Sequence, residues 1–152
     1  MVPGLTLEAR VAQLEARLGD LADREAIREL TADYCQRVQA GDVEGVVELF
    51  CQDGSIEMGE TVTRGHAQLR SSYRQAFAEM TPKPFIHNHV IELDGHSARG
   101  VCSVEIRLVQ DGRAYDAAGH YHDDYRNIDG RWRFQRRVFV VYHWCPTTEG
   151  WC

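Results

Sequence analysis

Three Asp-Gly dipeptides divide the second half of this 152-residue chain, at Asp94-Gly95, Asp111-Gly112 and Asp129-Gly130. Asp-Gly favours a two-residue hairpin because both residues tolerate the positive φ angles of a type I′ turn. The segments around these turns are rich in Val, Ile, Tyr and Phe, which is typical of strands. The pattern therefore predicts four long antiparallel strands, over 85–93, 98–110, 114–128 and 131–144.

The first half of the chain is predicted to be helical. Near its start, apolar residues recur at alternating steps of four and three, the spacing of a short coiled-coil seam. These residues are Leu7, Val11, Leu14, Leu18 and Leu21. Two readings stay open: a helix packed on its own domain, or an arm over residues 1–22 that helps the protein to oligomerise.

Gly19-Asp20 interrupts this spacing and predicts a break before a second helix over 24–40. Further helices are predicted over 43–51 and 66–80, with a short strand at 55–58 and a loop at 59–65 between them. Helices followed by an antiparallel sheet indicate an α+β fold. We expect the N-terminal helices and a curved antiparallel sheet to enclose a pocket, and residues 146–152 to form a tail.

Composition narrows the function classes. A formal net charge of −6 argues against a nucleic-acid or anionic-membrane partner, because both require a basic surface. No apolar run approaches the roughly 20 residues of a membrane span. Five cysteines without CxxC spacing are expected to be reduced thiols in a cytoplasmic protein, although Cys145 and Cys152 could close a terminal loop.

Four stretches together resemble the SnoaL-like branch of the nuclear transport factor 2-like superfamily, whose fold is a cone-shaped α+β barrel. They are REAIRELTADYCQRVQAGDVEGVVELFCQDGSIEM, RGHAQLRSSY, FIHNHVIELDGHSARG and AGHYHDDYRNIDGRWRFQRR. The resemblance implies a domain over 23–145 and a cofactor-independent lyase or isomerase, either a dehydratase or a cyclase. The substrate would be a small hydrophobic carbonyl or hydroxylated molecule. Since the fold also forms non-catalytic modules, a ligand-binding or assembly role is the alternative.

The resemblance also implies catalytic residues. His87 takes the position of the general base, and an imidazole titrates near neutral pH as that role requires. Tyr34 takes the position of an electrophilic donor. Gln39 stands where relatives carry the aspartate that orients the histidine, and an amide cannot balance an imidazolium charge. Asp123 is the candidate replacement acid, and Arg137 is expected to bind substrate or pair with Asp123.

The remaining expectations concern the pocket wall, metals and partners. Besides Arg137, the predicted substrate-binding residues are Tyr121, Ile56, Phe50, Val141 and His89. The resemblance places His87 and Tyr121 inward. Strand alternation then keeps His89 on the face of His87 and sends His120 and His122 to the outer face, so no metal site is expected. No cofactor is expected, and the partners are a small-molecule substrate and further copies of the chain, as a dimer or trimer.

Overall fold

The computed structural model describes residues 4–149, and its first element is one long helix, α1 (Leu7–Ala40). The Thr6 side chain accepts a hydrogen bond from the Ala9 amide at its start, and Gly41 ends it with a φ of 70°. The predicted break at Gly19-Asp20 is wrong. A glycine inside a helix costs only about 1 kcal/mol relative to alanine, and the strong helix formers around Gly19 outweigh it.

The segment after α1 holds more strand than the sequence predicts. Helix α2 (Val43–Glu48) is shorter than the predicted 43–51, because strand β1 (Phe50–Met58) begins at its end. The region predicted as loop contains strand β2 (Thr61–Arg64), which pairs with β1. Helix α3 (Gly65–Glu79) agrees with the predicted helix to within one residue at each end.

The four predicted strands are confirmed, with small extensions at their ends: β3 (Lys83–Asp94), β4 (Ser97–Gln110), β5 (Arg113–Ile128) and β6 (Arg131–Pro146). At the second and third turns both Asp and Gly adopt positive φ, between 51° and 80°, as a type I′ turn requires. At the first turn Asp94 stays in β3 and only Gly95 has positive φ.

The six strands form one open sheet in the order β2-β1-β6-β5-β4-β3. The sheet is mixed rather than antiparallel, because β1 runs parallel to β6. It curves around α1 and α3, and the core lies between these helices and its inner face. No helix among residues 4–149 is long and apolar enough to cross a membrane.

Candidate functional site

A cavity of about 210 Å³ opens between the inner face of the sheet and the helices α1 and α3. Its wall is mostly apolar, with residues from all six strands and both helices. The larger apolar residues on the wall are Ile56, Met58, Phe77, Met80, Ile106, Phe139 and Trp144. The volume is below the roughly 300–1,000 Å³ of a drug-sized pocket, so the cavity suits a molecule of one or two small rings.

Two buried tyrosines place their hydroxyl groups together at this cavity. Tyr34 of α1 and Tyr73 of α3 are 4% and 8% exposed, and their phenol oxygens lie 2.9 Å apart. Burial raises the pKa of Tyr34 above its usual value, although the positive charge of Arg137 opposes the shift. Burial likewise raises the pKa of Tyr73 well above its usual value. Both phenols are therefore neutral hydrogen-bond donors at physiological pH.

Arg137 lies behind the tyrosines and is fully buried. It forms two parallel hydrogen bonds with Asp123, from Nε to Oδ1 at 2.8 Å and from Nη2 to Oδ2 at 2.7 Å. Its guanidinium carbon also lies 4.3 Å from the ring centroid of Tyr34, 3.9 Å from that of Tyr121 and 4.1 Å from that of Phe134. Such contacts stabilise a cation by about 0.5–2 kcal/mol each. Burial alone would lower the pKa of Arg137, but Asp123 and the hydrogen bonds to it outweigh burial.

A chain of hydrogen bonds continues from this ion pair to the edge of the sheet. Tyr125 donates its hydroxyl hydrogen to Oδ2 of Asp123 at 2.8 Å, and Nε2 of His89 lies 3.1 Å from the same tyrosine oxygen. His89 Nε2 is therefore the donor in that contact. Gly100 makes room for it, because a Cβ atom there would lie 2.9 Å from His89 Nε2. Burial lowers the pKa of His89, so the ring is neutral near pH 7.

The expectation that His87 faces the cavity is wrong. Its side chain is 48% exposed on the outer face, where Nε2 lies 3.0 Å from Glu105. The reason is a bulge in β3: Asn88 adopts a φ of 46°, and the pairing with β4 shifts between His87 and Val90. The extra residue reverses the alternation, so His89 faces inward and His87 does not. The two histidines therefore do not share a face.

Gln39 does not contact His87 either. Its amide nitrogen donates to the backbone oxygen of Pro84 at 2.7 Å, and its own backbone oxygen accepts from Lys83. The end of α1 thus lies beside the first residues of β3, three residues before the histidine. Gln39 joins helix to strand and does not orient an imidazole.

The other predicted wall residues are distributed between the cavity, the core and the surface. Tyr121 and Ile56 lie on the cavity wall. Phe50 is fully buried in the aromatic core against Tyr34, with ring centroids 6.3 Å apart. Val141 is 38% exposed and lies away from the cavity. Asp123 and Arg137 pair with each other within the core and do not line the cavity.

His120 and His122 lie on the outer side of β5, as alternation predicts, with their Nε2 atoms 2.6 Å apart. Among residues 4–149 no cluster of three or more His, Cys, Asp or Glu side chains has the geometry of a metal site.

Of the five cysteines, Cys35, Cys51 and Cys102 are buried thiols, and Cys152 lies outside the described residues. The proposed pairing with Cys145 therefore stays a prediction.

Sequence reasoning missed Tyr73 and Trp144 as cavity residues. The spacing of α3 places Tyr73 on its core face together with Leu69 and Phe77, and that position is correct. The available signal was its hydroxyl group, because a buried tyrosine usually finds a hydrogen-bond partner. That the partner is Tyr34, 39 residues away, depends on how α3 crosses α1.

An open sheet curved around a long helix, with an apolar cavity at its inner face, defines the nuclear transport factor 2-like class of α+β proteins. Within that class this chain belongs to the SnoaL-like domain family, whose model matches residues 19–138. No curated protein matches the chain.

Similar solved structures include an enzyme and a protein of unknown function. A Mycobacterium tuberculosis protein of unknown function is 25% identical, with a TM-score of 0.77, over 81% of this chain and 73% of that one. A nuclear transport factor 2-like protein from Novosphingobium aromaticivorans is 26% identical, with a TM-score of 0.72, over 86% and 89%. A hexachlorocyclohexane dehydrochlorinase is 19% identical, with a TM-score of 0.79, over 86% and 92%. The last likeness shows the fold alone.

Proposed function

We propose that this protein binds a small, mostly apolar molecule carrying one carbonyl or hydroxyl oxygen. In this proposal no histidine acts on the bound molecule as a general base. The observation that carries the proposal is the pair of neutral phenols, Tyr34 and Tyr73, in a mostly apolar cavity. When one phenol donates to the other, one O–H hydrogen remains for a ligand oxygen. The apolar wall would hold the rest of the molecule.

The same cavity offers poor chemistry for elimination or isomerisation, which was the expected activity. These reactions remove a proton from carbon and need a base within reach of it. Among the described lining residues there is no histidine, and the one carboxylate is Glu57. Hydrogen bonds from Arg136, at 2.7 and 2.8 Å, lower the pKa of Glu57 and make it a weak base. A lyase, isomerase or cyclase role therefore remains only as the alternative.

The test compares two ligands that differ at one non-hydrogen position: acetophenone, and α-methylstyrene, in which a CH₂ group replaces the carbonyl oxygen. Dissociation constants are measured by calorimetry for the wild type, Tyr34→Phe and Tyr73→Phe. A hydrogen bond is worth about 0.5–1.5 kcal/mol net, so the wild type should prefer acetophenone by about 2- to 12-fold. A single substitution still leaves one phenol hydrogen for the ligand, so the preference should disappear only in the double variant Tyr34→Phe with Tyr73→Phe, measured in the same way.

The control is Tyr142→Phe, since Tyr142 is 63% exposed and lies away from the cavity. Equal affinities for the two ligands in the wild type, or no binding of either, would contradict the proposal. Loss of water from a β-hydroxy ketone, catalysed by the wild type but not by Tyr34→Phe, would instead establish the lyase alternative.

A further inference from the structure

The N-terminal half of α1 carries an uncovered apolar seam. Its five members are between 45% and 75% exposed: Leu7, Val11, Leu14, Leu18 and Leu21. A single exposed leucine on a protein surface needs no explanation, but five in a row along one helix face indicate a contact surface. The Gly19-Asp20 pair does not interrupt the helix, so the seam is continuous.

The seam faces away from the domain to which the helix belongs. Further along α1, the side chains packed on the sheet include Ile27, Tyr34 and Val38. At about 100° per residue, these side chains lie roughly 160° around the helix from the seam. The continuous helix α1 therefore has its domain on one side and the seam on the other. This geometry removes the first of the two sequence interpretations, in which the seam packs on its own domain.

We propose that the seam is covered by the same segment of a second copy, in a parallel two-stranded coiled coil. The spacing assigns Val11 and Leu18 to heptad position a, and Leu7, Leu14 and Leu21 to position d. The β-branched Val11 at one of the two a positions, with leucine at all three d positions, favours two strands. The occupant is thus a second copy of this chain.

The charges that flank the seam determine whether the two helices run parallel or antiparallel. Position g holds Arg10 and Arg17, and position e holds Glu8 and Glu15. In a parallel pair, a g residue meets the e residue five positions later on the other chain, so Arg10 meets Glu15 of the second copy, twice by symmetry. In an antiparallel pair, g meets g and e meets e, which would place arginine beside arginine and glutamate beside glutamate.

Two parallel arms place the two domains at the same end of the coil, with their α1 helices side by side. Two heptads are too short to be stable as an isolated coil, so the domains must either touch near the coil or tolerate a weak dimer. A dimer dissociation constant that depends on the arm follows in both cases.

The experiment uses two full-length charge variants, Arg10→Glu and Glu15→Arg. In a dimer of Arg10→Glu both interchain contacts join two carboxylates, and in a dimer of Glu15→Arg both join two guanidinium groups. Each variant alone should therefore raise the dimer dissociation constant about 10-fold or more at low salt. In the heterodimer that a mixture of the two variants forms, both contacts again join a carboxylate to a guanidinium group, so mixing should recover wild-type affinity. The double exchange Arg10→Glu with Glu15→Arg in one chain also pairs opposite charges at both contacts and should recover it as well. Sedimentation velocity measures the two single variants, their mixture and the double variant.

A cross-linking experiment distinguishes the coiled coil from any other interface. Leu14→Cys places a thiol at a d position of the seam, and Gln13→Cys places one at position c, outside it. In a parallel, in-register pair only Leu14→Cys should form a disulfide-linked dimer under mild oxidation. Equal cross-linking of the two variants, a monomeric wild type, or tighter dimers from the single charge variants would overturn the proposal.

Discussion

Replacement of Asp123 with asparagine tests how much of the stability of this domain depends on one buried ion pair. Both side chains of the Asp123–Arg137 pair have no exposed surface, and the pair makes two hydrogen bonds of 2.7 and 2.8 Å. In the variant one amide oxygen can still accept from the guanidinium, but the amide NH₂ group would face a second N–H donor. The Arg137 charge would remain buried without a counter-charge.

Loss of one partner from a buried ion pair costs about 3–5 kcal/mol. The three aromatic rings around Arg137 keep part of the stabilisation, so we expect the lower end, about 3 kcal/mol. This is a large share of the roughly 5–15 kcal/mol that stabilises a domain. With a urea m-value of about 2 kcal/mol per molar, the midpoint of unfolding should fall by about 1.5 M.

Urea unfolding followed by circular dichroism measures the shift, and the neighbouring Asp124→Asn is the matched control. Asp124 is 43% exposed and its contacts with Arg99 and Arg136 are 3.7 and 3.8 Å, so its removal should cost less than about 0.5 kcal/mol. A second variant, Asp123→Asn with Arg137→Met, removes the unbalanced charge and should recover part of the loss. If Asp123→Asn were no more destabilising than the control, the ion pair would not be desolvated as its burial indicates.

Three further predictions concern single positions. His87→Ala should leave acetophenone affinity unchanged, because the side chain lies on the outer face; a change beyond twofold in calorimetry would contradict that placement. The free energy of unfolding should fall as the pH drops below about 6.5, because the pKa of His89 is lower in the folded state and the unfolded chain takes up its proton first. His89→Gln should flatten that slope between pH 7 and 5.5, and an unchanged slope would assign it to another group. Gly19→Ala should stabilise α1 by about 0.5–1 kcal/mol, since a Cβ there meets nothing within 4 Å; a lower thermal midpoint would show that the helix does not pass straight through Gly19.

The parts of the fold that follow from local chemistry were predictable. The Asp111-Gly112 and Asp129-Gly130 turns need only the φ preferences of two adjacent residues, and they place β4, β5 and β6 correctly. Helix α3 likewise begins and ends within one residue of its predicted bounds, and Pro82 and Pro84 account for its end. The positions of these turns and of the end of α3 are determined by residues adjacent in the sequence.

The candidate site depended on non-local structure, and there the predictions were less accurate. The positive φ of Asn88 is not visible in a strand pattern, yet it exchanges the faces of His87 and His89. The parallel pairing of β1 with β6 joins segments about 80 residues apart, and no local signal indicates it. The Tyr34–Tyr73 contact requires two helices to cross at one point.

The sequence by itself determined the family, the order of helices and strands and the apolar seam of α1, because turn preferences and apolar spacing act over a few residues. Tertiary structure alone decided which polar groups meet in the cavity. One extra residue in β3 turned the expected base toward solvent, and the crossing of α1 and α3 placed two phenols where an imidazole was expected. The physical reason is that side-chain direction in a strand reverses with each added residue, whereas contact between distant side chains depends on the packing of whole elements.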